Sequence, residues 1–161
     1  MSKTTLANSY FKVMEACAAY VAETKPDCNS PEVAYQILLP LIEASTSNQQ
    51  EAFYMIPLDN KKKMLEAPIE IFRGVLSACY ISPREVFKKA LMVNAASIII
   101  AHNHPSGNPE PSVEDIAVTK KMIECGRLLD IPVIDHIICG TKTPDNEGFI
   151  SMSHRTYYLF L

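Results

Sequence analysis

A chain of 161 residues, 48% hydrophobic and 20% charged with a net charge of −3, is long enough to bury a core in one domain and too apolar for a disordered class. The small acidic balance argues against a surface built for nucleic-acid phosphates, since Lys61-Lys62-Lys63 is a short run that reads as a solvated turn. No apolar stretch approaches the roughly 18–20 residues needed to cross a bilayer, and the opening Met-Ser-Lys-Thr-Thr lacks a secretory pattern, which makes the cytoplasm the expected compartment.

The spacing of Tyr10, Val13, Met14, Cys17 and Val21 predicts an amphipathic helix over about residues 5–23. Lys25-Pro26-Asp27 breaks it, and Asn29-Ser30-Pro31-Glu32 starts a second helix with proline at its first position. Pro40 is expected to kink or shorten that helix. The organisation this suggests is a helical extension over 1–29 followed by one domain over 30–161. Glu51 to Leu58 reads as a strand from its aromatic and β-branched content. Further strands are expected over about 64–72 and 75–81, giving an antiparallel meander. Ser82-Pro83-Arg84-Glu85 has the form of a capping box opening a helix to about Val93, with Val86, Phe87, Ala90 and Leu91 inward.

Ser97 to Ala101 (Ser-Ile-Ile-Ile-Ala) predicts a strand buried on both faces. Pro105, Gly107, Pro109 and Pro111 then stop it. Ser112 to Asp115 has the Ser-x-x-acid start of a helix that carries Ile116, Val118, Met122, Ile123 and Leu128 and ends near Gly126-Arg127. A strand over 132–139, a polar loop over 141–148 and a short strand over 149–152 follow, and the tail Tyr157-Tyr158-Leu159-Phe160 is expected to pack. Interleaved helices and strands of this kind make an α/β layered domain around a mixed sheet.

Two histidines therefore leave a buried strand while an aspartate sits in the first turn of the next helix. Residues two apart on a strand project to one side, which brings His102 and His104 together. Imidazole nitrogen and carboxylate oxygen are zinc ligands at about 2.0–2.2 Å, and three protein ligands plus water is the catalytic arrangement. His102, His104 and Asp115 are thus the candidate metal ligands. Taken apart they would be two loop histidines and a capping aspartate; together they favour a metal. Five cysteines (Cys17, Cys28, Cys79, Cys125, Cys139), without a Cys-x-x-Cys spacing, read instead as reduced core residues. The Pro-Cys-x-x-Cys of zinc deaminases is absent.

The spacing His-x-His-(seven residues)-Ser-x-x-Asp resembles the metal motif of the JAMM (JAB/MPN) metalloproteases. The longer string His-Asn-His-Pro-Ser-Gly-x-x-x-Pro-Ser-x-x-Asp resembles the RadC branch of that superfamily in each fixed position. Pro83 to Leu91 upstream and Asp135-His136-Ile137-Ile138 downstream extend the likeness over roughly 30–153. The resemblance implies a three-layer α/β/α JAB/MPN-like (deaminase-like) fold and a Zn2+-dependent hydrolase acting on a peptide or isopeptide amide in a peptide or protein substrate. It also implies an upstream glutamate as general base. Glu32, Glu43, Glu51, Glu66 and Glu70 are available, and Glu51, just before the first aromatic-rich strand, matches the superfamily's position. Ser112 would be an oxyanion donor as well as a helix cap. Asn103 is read as structural, His136 as a core histidine or a substrate contact, and His154 as exposed. Two rivals remain: a DNA-associated, repair-linked factor and a non-catalytic MPN-fold scaffold. Neither nucleic acid nor membrane is an expected partner of this chain alone, and its oligomeric state is not fixed by sequence.

Overall fold

The computed structural model of the chain describes residues 3–45, 50–74 and 81–161. The expected strand over 75–81 lies, but for Ile81, outside the described residues, as does Cys79.

At the centre is β3 (Ser97–Asn103), every residue of which is buried. A strand covered on both faces needs apolar side chains on both, and Ile98, Ile99, Ile100 and Ala101 supply them. β1 (Glu51–Leu58) pairs antiparallel on one side of it and β4 (Val133–Cys139) parallel on the other. Outside them lie β2 (Ile69–Gly74) and β5 (Phe149–Ser151), both antiparallel to their neighbours. The five-stranded mixed sheet has the order β2-β1-β3-β4-β5.

Helices cover both faces. α1 (Lys3–Thr24) and α2 (Pro31–Ser45) lie on one, where Val21, Leu38 and Leu41 share a core with Tyr54, Ile56, Ile99 and Ile137. α3 (Pro83–Met92) and α4 (Val113–Leu128) lie on the other, where Val86, Phe87, Ala90, Met122 and Ile123 pack against Phe53, Met55, Ile98 and Ile100. A short α5 (Met152–Arg155) and a 3₁₀ turn (Tyr157–Leu159) end the chain. The layered α/β architecture expected from sequence is the one observed. No described helix is long and apolar enough to cross a membrane.

Several local expectations need correction. α2 runs through Pro40 to Ser45; burial of Leu38, Leu41 and Ile42 around the proline outweighs the one lost backbone bond. β2 begins at Ile69 rather than near Met64. Pro68 has no N–H to give a ladder, and the preceding residues fold back, Met64 N donating to Pro26 O and Leu65 N to Pro57 O. Ser82 stands at the N-cap of α3 without a side-chain cap bond, the Glu85 carboxylate being turned to Arg84 Nε at 3.2 Å. Leu91, expected inward, is exposed. The buried stripe of α4 runs through Thr119, Met122, Ile123 and Gly126, and Leu128 falls off it. In the tail, Leu159 and Phe160 pack on the α3–α4 core, whereas Tyr157 and Tyr158 are exposed.

Candidate metal centre

The alternation of β3 determines which side chains reach the site. His102 continues the row of Ile98 and Ile100 towards α4, while Asn103 continues that of Ile99 and Ala101 towards α2. The strand carries on two residues beyond Ala101, so His102 is itself a strand residue and only 1% exposed. His104 N donates to Cys139 O at 2.8 Å, which keeps His104 in line with the strand. The chain then turns sharply, with Gly107 N donating to His104 O at 2.9 Å. Gly107 has φ +79° and a Cβ there would lie 2.6 Å from Thr141 Oγ1, so this position requires glycine.

Ser112 begins α4 with a complete capping box. Its Oγ accepts from Asp115 N at 3.1 Å, while Asp115 Oδ2 accepts from Ser112 N at 2.8 Å and from Ser112 Oγ at 2.6 Å. The cap stabilises the helix by about 1 kcal/mol and it also fixes the Asp115 carboxylate towards β3. Asp115 Oδ1 lies 3.0 Å from His102 Nε2 and Oδ2 lies 3.2 Å from His104 Nε2. The two Nε2 atoms are 3.0 Å apart.

These three residues can hold a metal ion; a ligand atom from each falls within 4.8 Å of the others. Ligand atoms around a tetrahedral ion at about 2.0–2.1 Å would stand about 3.3 Å from one another, so the 3.0–3.2 Å spacings seen here fit. The chemistry of the set fits as well: two imidazoles and a carboxylate, with His102 buried and the other two partly so. His104 Nδ1, 2.8 Å from Asn108 O, donates to that carbonyl and leaves Nε2 as the free nitrogen.

Charges in the cluster shift one another. Burial works to raise Asp115, but the neighbouring His102 and His104 rings prevail and hold it far below the usual carboxylate range. His104 is raised, chiefly by its bond to Asp115. The carboxyl of Glu51 is raised by burial, with His102 and His104 pulling it down and Asp115 pushing it up. Glu51 therefore feels the ligand cluster directly. It is the first residue of β1, two before Phe53, which is the register partner of His102 and stacks on its ring with centroids 6.1 Å apart. The other acids with a predicted claim differ: Glu70 is bonded to Arg73 and Tyr10 at the far edge of the sheet.

The sequence-predicted residues His102, His104 and Asp115 thus converge, with Ser112 bonded to one of them and Glu51 in their field. Two further residues stand where sequence reasoning put them, Asn103 as structural and His136 in the core, and both bear on the site. Asn103 accepts from Ala52 N at 2.8 Å through Oδ1 and donates to Gln50 O at 3.2 Å, which clamps the peptide on either side of Glu51 to the end of β3. His136 lies 2.9 Å from His102 and 2.6 Å from Thr119. Asp135, its neighbour, faces away and holds Ser151 Oγ and Ser153 N, as alternation along β4 requires. His154 is exposed. Thr119 could have been noticed four residues beyond Asp115, on the same helix face; the position of His136 depends on strand pairing that no local pattern reveals.

Residues 28–157 match a family described as the RadC-like JAB domain. The chain is 40% identical over 152 residues to a UPF0758 protein of Methanosarcina barkeri, covering 92% of this chain and 65% of that one. It is 46% identical over 108 residues to one from a Geobacillus species, covering 67% and 45%. A third, from Vibrio parahaemolyticus, is 41% identical over 128 residues, covering 80% and 57%. The chain therefore spans about two thirds or less of the length of these relatives. A sheet order, a capped aspartate and two strand-end histidines that converge on one point all agree with that match, and the chain belongs to the RadC-like JAB domain family (UPF0758) of the JAB/MPN superfamily.

Proposed function

We propose that this domain is a zinc-dependent hydrolase of the JAMM type, cleaving a peptide or isopeptide amide in a peptide or protein substrate. The observation that supports it is the convergence of His102, His104 and Asp115 beside a carboxyl, Glu51, whose affinity for protons is raised. Zinc held by those three residues would keep a coordination position open and supply Lewis-acid polarisation together with a lowered pKa for water.

The chain's own residues supply the rest. Glu51 takes the proton of the attacking water on its carboxylate and returns it to the leaving nitrogen; an acid lifted above its ordinary value suits both transfers near neutrality. Asn103 holds the backbone around Glu51 at a fixed offset from His102 and His104. Ser112 acts as oxyanion donor by turning its hydroxyl proton from Asp115 Oδ2 to the developing charge.

The test separates chemistry from binding. Glu51→Gln keeps the shape of the side chain and removes the base. It should retain zinc while losing hydrolysis by about 10²–10⁴-fold on any amide substrate the wild type cleaves. Undiminished hydrolysis would assign the role to another group.

A further inference from the structure

His136 carries no role in the reaction proposed above, yet it is fully buried and sits directly behind a metal ligand. Its Nε2 lies 2.9 Å from His102 Nδ1, and its Nδ1 lies 2.6 Å from Thr119 Oγ1. Thr119 Oγ1 is also 2.6 Å from the carbonyl oxygen of Asp115. A carbonyl can only accept, and two oxygens that close need a proton between them, so the Thr119 hydroxyl donates to Asp115 O. Thr119 Oγ1 then offers only lone pairs to His136, and His136 Nδ1 must carry the proton. A neutral imidazole has one donor and one acceptor. His136 Nε2 is therefore an acceptor, and His102 Nδ1 must donate to it. This leaves His102 Nε2, the atom facing Asp115 and His104, as the nitrogen available for a ligand. These protons are assigned from the bonds that join Asp115 O, Thr119, His136 and His102 Nδ1.

The surroundings hold the ring neutral and in place. Charging a fully buried imidazole is costly, so His136 keeps one donor and one acceptor on its ring. The ring of Phe53 lies against both histidines, at centroid distances of 6.1 Å to His102 and 5.8 Å to His136.

We propose that His136 is a positioning residue: held by Thr119, it fixes His102 with its proton on Nδ1 and its Nε2 lone pair directed at the metal position. The same helix turn then supplies both a ligand, Asp115, and the anchor of the chain of bonds that orients a second ligand. Partners of this kind behind a ligating histidine typically change metal affinity by about 10–100-fold. The inference rests on the metal reading of the site.

The experiment uses the full chain and two readouts. Long-range ¹⁵N–¹H spectra of the metal-free wild type should show His136 protonated on Nδ1 and unprotonated on Nε2, and His102 protonated on Nδ1. Zinc affinity is then measured by competition with a chromophoric chelator. His136→Leu and Thr119→Val should each bind zinc about 10–100-fold more weakly. His136→Gln, whose carbonyl oxygen can take the place of Nε2, and Thr119→Ser should recover most of that loss. Circular dichroism checks that each variant is folded, and if His136→Leu is not, the Thr119 pair and the wild-type spectra decide. A wild-type His136 protonated on Nε2 would overturn the inference, as would folded Thr119→Val binding zinc as tightly as wild type. A wild type that takes up no zinc overturns the metal reading and this role with it. Failure of the inference alone is distinct, because zinc then binds normally.

Discussion

Ile99 and Ala101 point from β3 into the core under α1 and α2, whereas Ile98, Ile100 and then His102 point from the same strand towards α3 and α4. Both faces are dry, but they are specified differently. On the α1–α2 face the middle of the sheet is covered by apolar residues, with the bonded polar groups Asn103 and Asp135 on the same side, and buried area does most to hold the helices; such contacts are strong and tolerant of small shifts. On the α4 face, at the end of β3, a chain of directed bonds links Thr119, His136, His102 and Asp115. Each bond admits one arrangement of donors and acceptors, so this region gains position rather than cohesion. A site built there inherits the rigidity of the sheet and the directionality of the polar chain.

The first way to sharpen that contrast is to weaken the apolar face. Leu38 is completely buried on it, and Leu38→Ala should cost about 2–5 kcal/mol in urea unfolding. Zinc content of the folded protein should stay at the wild-type level. A parallel loss of zinc would show that the two faces are not separable.

A smaller effect is expected where the faces meet. Asn103→Ala leaves the buried Ala52 N–H without its partner, a cost of about 1–3 kcal/mol. It should also lower kcat while zinc affinity holds, since Glu51 loses its register against the ligands. Unchanged kcat would mean that Asn103 serves stability alone.

The smallest expected effect is a pH dependence confined to the polar region. The bond to Asp115 raises His104 above its ordinary value of 6.5, so in the metal-free protein protons compete for it already on the alkaline side of that value. Asp115 is depressed and stays ionised throughout. Zinc affinity should therefore fall steadily as pH is lowered from about 8 to about 6. A flat profile over that range would argue against His104 as a ligand.

The same contrast explains what could be read in advance. The run Ser97 to Ala101, the prolines after it and the Ser112–Asp115 cap are local signals, and they located the strand, the turn and the helix start that bring the three candidate ligands together. Local signals failed where packing decided the outcome: the continuation of α2 beyond Pro40, the late start of β2 after Pro68, and the exposure of Leu91. The Ser82 box showed the right residues without the bonds, because Arg84 takes the Glu85 carboxylate. His136 was legible as a core histidine, but its contact with His102 was not. Its place behind His102 depends on the parallel register of β3 and β4, which sets Ile100 opposite His136, a pairing between segments more than thirty residues apart.

The central claim is that His102, His104 and Asp115 form one zinc site, and elemental analysis tests it most directly. The native protein and His104→Ala, purified alike and shown to be folded, should differ clearly. The account predicts about one zinc per chain in the wild type, as expected for three converging protein ligands, and little in the variant. Equal zinc in both, or none in the wild type after exposure to the metal, would contradict it.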